Sequence, residues 1–389
     1  MQGVVLHPDR DRSARRRHPW ILSGAVARVE GEPAAGDRVA VRSAEGEVLG
    51  HGHFEPGSQI RVRLLTFAKE PEPESALGAR VRQAVARRAG DPLLAGSDAL
   101  RVVNAEGDGL PGLVVDRYAD VLVVRPSTAG MLRRAEELAG ALAAATGAAA
   151  GWLRPDAVAL RRAGVAVEER ALWGAPPAPL VAILEHGRRF TVDVRRGQKT
   201  GFYLDQRDAR DLVQALAAGR RVLDAFAYTG GFTVAALLGG AARVVAVESS
   251  ESALVLARAH TAFAGERAEC RAGDAFQVLR SESAGFDLVI LDPPPLARRK
   301  GDVARASRAY KDLLLHAFRS AAPGRLVLAF ACSHHVPPEL FAKIAFGAAL
   351  DAGRAVSILR RLGAPSDHPV SLAHPEGRYL TGLLLRVDA

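Results

Sequence analysis

Residues 222–232, VLDAFAYTGGF, read as a short apolar strand with an acidic residue at its end, followed by a glycine-rich turn that opens a helix. Gly230 and Gly231 permit a tight turn and a close approach of the backbone to a ligand. The spacing differs from the G-x-G-x-x-G of a pyrophosphate-binding loop. The stretch therefore favours a nucleoside ligand without phosphates, such as S-adenosylmethionine, although an ordinary strand–helix turn has the same local pattern.

The pattern of apolar strands and helices continues on the C-terminal side of this stretch. Strands are predicted at RVVAVES (243–249), FDLVILD (286–292) and RLVLAFAC (325–332), with helices at 251–263 and 304–321. This alternation predicts a doubly wound α/β domain with a mostly parallel sheet, which binds ligands at the carboxyl ends of its strands. The final run, RYLTGLLLRV, suits an antiparallel edge or inserted strand.

The N-terminal half has a different pattern. The runs DRVAVRS (37–43), VLGHGHF (48–54) and QIRVRLLT (59–66) alternate apolar and polar residues, which predicts a small β-barrel. EPEPES (70–75) reads as a linker. An α+β region follows, with helices predicted over 76–89 and 132–145 and hairpin strands within GLVVDRYADVLVVRPS (112–127).

Composition places the chain among globular proteins of more than one domain. Of its 389 residues, 48% are hydrophobic and 24% charged, which excludes a mostly disordered chain. No apolar run reaches the roughly 18 residues of a membrane span, and the N-terminus lacks the apolar region of a secretory signal. Two cysteines exclude a disulfide framework and favour a reducing, cytoplasmic environment.

The net charge of +9 suggests a polyanionic partner, nucleic acid first. Part of this charge is compositional, because arginine greatly outnumbers lysine. The densest basic cluster lies at 298–311, RRKGDVARASRAYK, and begins with Arg298, Arg299 and Lys300. We therefore predict RNA contacts at these three residues, although a solvated surface would show the same pattern.

Acidic residues recur at the ends of successive predicted strands. Asp224 lies at the end of the first strand. Glu248 ends the second strand, where an acid can accept hydrogen bonds from both hydroxyls of a ribose. Asp274 ends the third strand and could accept a hydrogen bond from the amino group of an adenine. Asp292 ends the fourth strand within LDPPP, where the prolines make a rigid loop that can hold a base edge.

The segment GQKTGFYLDQRDAR (197–210) adds further candidates for the cofactor. Gln206 and Arg207 could bind a carboxylate or amino group, and Phe202 or Tyr203 could stack on a ring. The sequence therefore predicts cofactor binding by one set of residues: Lys199, Phe202, Tyr203, Gln206, Arg207, Asp224, Tyr228, Thr229, Gly230, Glu248, Ser249, Asp274, Ala275 and Asp292. No metal is expected, since the histidine pairs at 51 and 53 and at 334 and 335 lack a partner set at ligand spacing.

Cys332 ends the fifth predicted strand and is the candidate nucleophile. The alternative is a small buried hydrophobe, which is the usual role of a lone cysteine. Cys270 lies inside a strand-like segment and is expected to belong to the core.

The chain resembles, over nearly its whole length, the RlmI-type class I S-adenosylmethionine-dependent ribosomal RNA methyltransferases, which modify C5 of cytosine. The resemblance is carried by several segments: RRRHPWILSGAV, SQIRVRLLT, ALRVVNAEGDGLPGLVVDRYAD, GQKTGFYLDQR, VLDAFAYTGGF, LDPPP, RAYKDLLLHA, CSHHV, DHP and GRYLTGLLL. Two departures concern the base pocket. Pro295 and Leu296 follow DPP where the family often has a bulky residue and a basic one, and Phe330 and Ala331 precede Cys332 in place of a Ser- or Thr-rich run.

The resemblance implies a PUA-like RNA-binding barrel at 1–72, a central α+β domain at 73–190 and a Rossmann-like methyltransferase domain at 191–389. It implies methyl transfer from S-adenosylmethionine to a single-stranded or flipped cytosine of 23S ribosomal RNA, with Cys332 as nucleophile and Asp292 holding the base. A homodimer is a further hypothesis. The alternatives are an exocyclic-amine or other-base RNA methyltransferase, and an RNA-binding assembly factor with a vestigial cofactor site.

Overall fold

The computed structural model describes residues 2–68, 70, 73–282, 285–297 and 299–388. The chain divides into two compact units, one comprising Met1–Leu204 with Ser366–Gly377 and the other Asp205–Pro365 with Arg378–Ala389. Within the described ranges, no helix is both long and apolar enough to cross a membrane. The domain boundaries after residues 72 and 190 stay predictions.

The first unit begins with a six-stranded sheet that curls into a half-barrel with β2 and β3 at its edges. Its elements are β1 (Gly3–Leu6), α1 (Arg12–Arg15), β2 (Trp20–Leu22), β3 (Val26–Glu30), β4 (Arg38–Arg42), β5 (Val48–Phe54) and β6 (Ile60–Phe67). The strand order is β2-β6-β5-β4-β1-β3, and β1 runs parallel to β4 while the other described pairs are antiparallel. The three alternating runs predicted as strands correspond to β4, β5 and β6, which confirms them.

The rest of the first unit is an α+β region. Its elements are α2 (Pro73–Ala89), β7 (Ala99–Asn104), β8 (Leu113–Tyr118), β9 (Val121–Pro126), α3 (Ala129–Arg133), α4 (Ala135–Thr146), β10 (Ala150–Leu153), α5 (Ala157–Arg162), β11 (Arg170–Trp173), β12 (Leu180–Glu185) and β13 (Arg188–Asp193). Strands β7 to β11 form one sheet in the order β11-β10-β9-β8-β7, and β12 pairs with β13. Apolar residues of α2 and α4, including Val81 and Leu142, pack in one core with Val115 and Val124 of the sheet.

Two predicted elements of this region differ from the structure. Helix α2 begins at Pro73, three residues before the predicted start, because proline is well tolerated in the first turn of a helix. Residues 71 and 72 of the predicted linker lie outside the described residues. The single helix predicted over 132–145 is two helices, because Arg134 leaves helical geometry between α3 and α4.

The second unit contains a seven-stranded sheet with helices between its strands. Its elements are α6 (Arg207–Leu216), β14 (Arg221–Asp224), α7 (Gly231–Leu238), β15 (Arg243–Glu248), α8 (Glu251–Thr261), β16 (Ala268–Ala272), α9 (Ala275–Glu282), β17 (Leu288–Leu291), α10 (Val303–Ser320), β18 (Leu326–Cys332), α11 (Pro338–Ala352), β19 (Val356–Leu362) and β20 (Leu380–Val387). The strand order is β16-β15-β14-β17-β18-β20-β19.

This topology confirms the doubly wound α/β fold that the sequence predicted. Strands β14 to β18 are parallel, and β20 is an antiparallel strand inserted between β18 and β19. The chain order reverses between the neighbouring strands β14 and β17, so the carboxyl ends of these two strands flank the switch point where such sheets bind ligands. Two apolar cores cover the sheet, one including α10 and α11 and the other including α6 and α7.

Candidate active site

The carboxyl edge of the parallel strands brings together the residues that the sequence singled out in the second unit. Asp224 and Glu248 are the last residues of β14 and β15, and Cys332 is the last residue of β18. Asp274 lies two residues beyond β16, and Asp292 directly follows β17. Because adjacent strands run parallel and in register, these side chains start from one edge of the sheet.

Asp224 is fully buried beneath this edge. The hydroxyl of Thr233 in α7 donates to its Oδ2 at 2.7 Å, whereas Oδ1 is shielded from solvent and accepts no hydrogen bond. Burial raises the pKa of Asp224 to about 7, an effect that the hydrogen bonds from Thr233 oppose. A positive charge placed nearby would favour the ionised form, so this buried acid is suited to a cationic ligand.

Glu248 holds the turn that follows β14. Its Oε2 accepts the N–H of Tyr228 at 2.9 Å, and its Oε1 accepts the N–H of Ser250 at 2.8 Å. Ser249 also donates its hydroxyl to Oε1, at 3.2 Å. The cap of α8 is Ser250, whose Oγ accepts from Ala253, so Glu248 is not the capping residue of that helix.

The turn itself has an unusual backbone. Tyr228 has a φ of 49° and Gly230 a φ of 81°, both in the left-handed region that side chains rarely adopt. The buried side-chain hydroxyl of Thr229 makes no hydrogen bond. The backbone carbonyl oxygen of Thr229 lies 2.7 Å from Nδ1 of His260. Strained backbone of this kind concentrates at ligand sites.

Replacing Glu248 with alanine should weaken S-adenosylmethionine binding. The change removes a carboxylate that can accept from ribose hydroxyls and also releases the Tyr228 turn, so we expect a loss on the order of 1.5–3 kcal/mol. Isothermal titration calorimetry measures the affinity directly. Ser252→Ala, a change at an exposed hydroxyl of the same region, serves as the control. Unchanged affinity in the Glu248 variant would contradict this placement of the cofactor.

Asp274 and Ala275 stand at the start of α9. The exposed carboxylate of Asp274 accepts the N–H of Phe276 at 2.9 Å, so one of its oxygens caps the helix. Ala275 is buried in the core. Asp274 retains a second oxygen for a ligand.

Asp292 is half-buried and accepts a hydrogen bond from Gln206. The amide Nε2 of Gln206 lies 3.0 Å from Asp292 Oδ2. This hydrogen bond connects the segment GQKTGFYLDQRDAR with the LDPPP loop. Neighbouring Arg207 lies in α6 and is fully buried.

Cys332 is partly buried at the end of β18, with Ser333 next to it. The Ser333 hydroxyl donates to the carbonyl of Ala297 at 2.6 Å, which fixes the end of β18 against the loop that contains Asp292. Burial and the nearby charges of Cys332 and Asp292 raise the pKa of Tyr310 above its usual range. Cys270 is also partly buried, but it lies inside edge strand β16, beside Thr261.

Three predicted cofactor residues, Lys199, Phe202 and Tyr203, belong to the first unit. Phe202 is buried against Phe190 with ring centroids 4.9 Å apart, so it forms part of the core. Lys199 has a φ of 54°, and its Nζ lies 4.3 Å from the centroid of the Tyr203 ring.

A buried ionic network in the first unit holds this loop in place. Asp116 accepts two hydrogen bonds from Arg101, at 2.7 and 3.1 Å, and one from the hydroxyl of Thr200 at 2.5 Å. The hydroxyl of Tyr118 makes a hydrogen bond with the hydroxyl of Thr200. The Tyr118 hydroxyl also accepts a hydrogen bond from the backbone N–H of Phe202. The sequence did not indicate this network, because its members are far apart along the chain.

The same network reaches the DHP motif. The N–H of Arg101 donates to Asp367 Oδ2 at 2.9 Å, and Asp367 Oδ1 lies 2.8 Å from Nδ1 of His368. Arg88 donates to the carbonyl of Asp367 and makes a bidentate pair with Asp108. Loop 197–202 and the DHP segment are therefore fixed to one buried set of charges.

His18, His374 and Glu376 form a group in the first unit whose side chains could together hold a metal ion. Nδ1 of His18 accepts the N–H of Trp20 at 3.1 Å, which places the ring proton on Nε2. This nitrogen lies 3.2 Å from Glu376 Oε2. Because a metal would require Nε2 without its proton, the geometry favours a histidine–carboxylate hydrogen bond.

The basic cluster begins outside the described residues, where Arg298 lies. Arg299 and Lys300 are exposed ahead of α10. The guanidinium of Arg305 lies 3.4 Å from Asp302 Oδ1, and Lys311 at the far end of the cluster pairs with Asp351. Part of the positive charge is thus compensated.

Comparison with known proteins matches two regions of the chain to family models. A model of the S-adenosylmethionine-dependent methyltransferase family matches residues 123–375, and a PUA-like domain model matches residues 4–67. A Streptococcus mutans protein described as a methyltransferase has a solved structure with a TM-score of 0.84 and 21% identity, each chain covering 100% of the other. This likeness supports the fold, and a second such structure contains S-adenosylhomocysteine.

Curated relatives are closer in sequence. The ribosomal RNA large subunit methyltransferase I of Serratia proteamaculans is 39% identical over 99% of both chains. The protein of the same name from Tolumonas auensis is 41% identical over 98% of both. The chain therefore belongs to the ribosomal RNA large subunit methyltransferase I family of S-adenosylmethionine-dependent methyltransferases, and it carries an N-terminal PUA-like domain.

Proposed function

We propose that this protein transfers a methyl group from S-adenosylmethionine to C5 of a cytosine in large-subunit ribosomal RNA. The observation that carries the proposal is the position of Cys332, which ends β18 at the same sheet edge as Asp292. The names of the relatives support large-subunit ribosomal RNA as the substrate. A nucleophile and a carboxylate at one edge fit chemistry on a pyrimidine.

The residues of the second unit fit S-adenosylmethionine. This cofactor supplies an electrophilic methyl group on a sulfonium and carries a cationic amino group. Asp224 offers a buried oxygen without a donor, and Thr229 a buried hydroxyl without a partner. Within this unit we assign cofactor contacts to Asp224, Tyr228, Thr229, Gly230, Glu248, Ser249, Asp274 and Ala275. The cofactor roles of Arg207, Asp292 and the first-unit residues stay predictions.

The chemistry follows from the weak nucleophilicity of C5. The thiolate of Cys332 adds to C6 and shifts electron density to C5, which then takes the methyl group. Asp292 holds the base edge and stabilises the adduct. Loss of the C5 proton and breakage of the bond between sulfur and C6 restore the aromatic ring and the thiolate. A base within a helix cannot reach the sheet edge, so the target is flipped or single-stranded.

A second candidate is methyl transfer to an exocyclic amine. It is favoured by the DPP sequence at Asp292, which is typical of such enzymes. Pro295 and Leu296 follow DPP in place of the aromatic residue that amine methylation commonly uses. This reaction needs no thiolate, so an active Cys332 variant would favour it over the proposed one.

We assign part of the electrostatic attraction between the protein and RNA to Arg298, Arg299 and Lys300. Neutralising the three residues together should weaken RNA binding and lower the salt dependence of log K by roughly one unit for each phosphate that is no longer neutralised. The affinity for S-adenosylmethionine should not change. Filter binding over a range of salt concentrations measures the slope. A slope equal to that of the parent protein would show that the cluster is only a solvated surface.

Mapping of RNA modifications by mass spectrometry tests the proposed function as a whole. We expect one 5-methylcytosine of large-subunit ribosomal RNA to disappear in cells that lack the gene and to return on complementation. The purified protein should restore it with S-adenosylmethionine. A vestigial site would give no saturable heat with the cofactor and no methylation. Ribosomal RNA as the substrate implies a cytoplasmic protein, and the homodimer hypothesis is testable by sedimentation.

A further inference from the structure

Gln206 occupies an unusual position in the second unit. It ends the turn before α6, and only 2% of the residue is exposed. Its Nε2 donates to Asp292 Oδ2 at 3.0 Å. The reverse orientation of the amide would set two acceptor oxygens against each other, so the carboxylate fixes which way the amide points.

The turn that carries Gln206 is anchored beside the strand of Cys332. The hydroxyl of Tyr379 donates to Asp205 Oδ2 at 2.7 Å, and Asp205 directly precedes Gln206. Tyr379 in turn precedes Leu380, the residue of β20 that pairs with Cys332. The Gln206–Asp292 pair is therefore tied to both strands that carry the proposed reacting groups.

One atom of this pair is unsatisfied. Oε1 of Gln206 is shielded from solvent and accepts no hydrogen bond. A buried carbonyl oxygen without a donor is costly, and a donor from a bound molecule would relieve that cost. Asp292 is half-buried, so the pair is open to a ligand on the side of the carboxylate.

We propose that Gln206 is a specificity-determining residue for the target base. Its Nε2 orients Asp292, and its Oε1 accepts from the amino group at C4 of cytosine. Uracil has a carbonyl oxygen at C4, which an acceptor repels, so the arrangement selects cytosine. This inference rests on the proposed function and assigns Gln206 to the base, whereas the sequence assigned it to the cofactor.

The test uses the full-length protein with Gln206→Glu, which keeps an acceptor and the side-chain size but removes the donor to Asp292. Gln277→Glu makes the same change at an exposed residue of α9 and serves as the matched control. Calorimetry measures the affinity for S-adenosylmethionine. Steady-state assays on ribosomal RNA from cells lacking the gene give kcat and KM, and circular dichroism checks folding.

We expect Gln206→Glu to change cofactor affinity by less than about threefold and to lower kcat by about thirtyfold or more, since the carboxylate of Asp292 loses its orientation. RNA fragments with 5-fluorocytosine or 5-fluorouracil at the mapped site measure base choice by covalent trapping. The preference for cytosine should fall about tenfold or more in Gln206→Ala, which removes the accepting oxygen, and should be retained in Gln206→Glu, which keeps one. Gln277→Glu should match the parent protein in every assay.

A double-mutant cycle with Gln206→Ala and Asp292→Asn tests whether the two residues act as a unit. We expect the double variant to lose little more activity than Asp292→Asn alone, because Gln206 contributes to turnover by orienting that carboxylate.

Two results would overturn the inference. If cofactor affinity falls in parallel with turnover, Gln206 is a cofactor residue. If the preference for cytosine is unchanged in a folded Gln206→Ala variant, the residue does not read the base. Failure of the parent protein to methylate or trap cytosine would overturn the proposed function itself, so the two failures are distinguishable.

Discussion

Cys332→Ser is expected to lower methyl transfer by on the order of a thousandfold or more, because the hydroxyl cannot replace the thiolate that activates C5. Serine keeps the volume of the side chain, so a loss of activity reflects lost nucleophilicity and not a packing defect. Single-turnover methylation of ribosomal RNA from cells lacking the gene measures the effect. Cofactor affinity should be retained, which separates chemistry from binding.

RNA that carries 5-fluorocytosine at the target gives a second measurement of the same residue. Fluorine at C5 cannot leave as a proton does, so the adduct between Cys332 and C6 should persist and migrate as a protein–RNA complex. The complex should require S-adenosylmethionine and be absent in Cys332→Ser. Cys270→Ser is the matched control, because Cys270 lies inside β16 away from the strand ends. Trapping that persists in Cys332→Ser would refute the assignment of the nucleophile.

Asp116→Ala is expected to destabilise the first unit by about 3–5 kcal/mol, the usual effect of removing one partner from a buried ion pair. Asp116 is fully buried, and its removal leaves the Arg101 guanidinium and the Thr200 hydroxyl without their main acceptor. Urea unfolding followed by circular dichroism measures the free energy of unfolding. The largest change is expected in the transition of the first unit.

Asp120→Ala provides the control for this prediction. Asp120 belongs to the same hairpin region, but its side chain is 79% exposed and lies 3.6 Å from Arg117. An exposed pair of this kind contributes little, so we expect a change within about 0.5 kcal/mol. Equal effects of the two substitutions would contradict the structural role of the buried network. The Asp116 variant should also free loop 197–202, which hydrogen exchange can detect.

The fold of the second unit and the positions of its strand-end residues could be predicted from the amino-acid sequence. Apolar strands alternate with helices between 221 and 332, and the period of that alternation is a local signal. Parallel strands joined by helical crossovers place Asp224, Glu248 and Asp292 at one edge whatever the details of packing. The resemblance of the motifs to a methyltransferase family then indicated the function, which the comparisons support.

The hydrogen-bond partners, the burial and the protonation of these residues depend on tertiary structure and could not be predicted from the sequence. The Gln206–Asp292 bond joins residues 86 positions apart, and the bond between Thr200 and Asp116 joins residues 84 apart. Such pairs have no period and no fixed spacing, so a sequence contains no local signal for them. The burial of Asp224, which raises its pKa, likewise depends on helices that pack over the sheet. Local periodicity fixes which edge of the sheet a residue occupies, whereas long-range packing fixes its protonation and its partners.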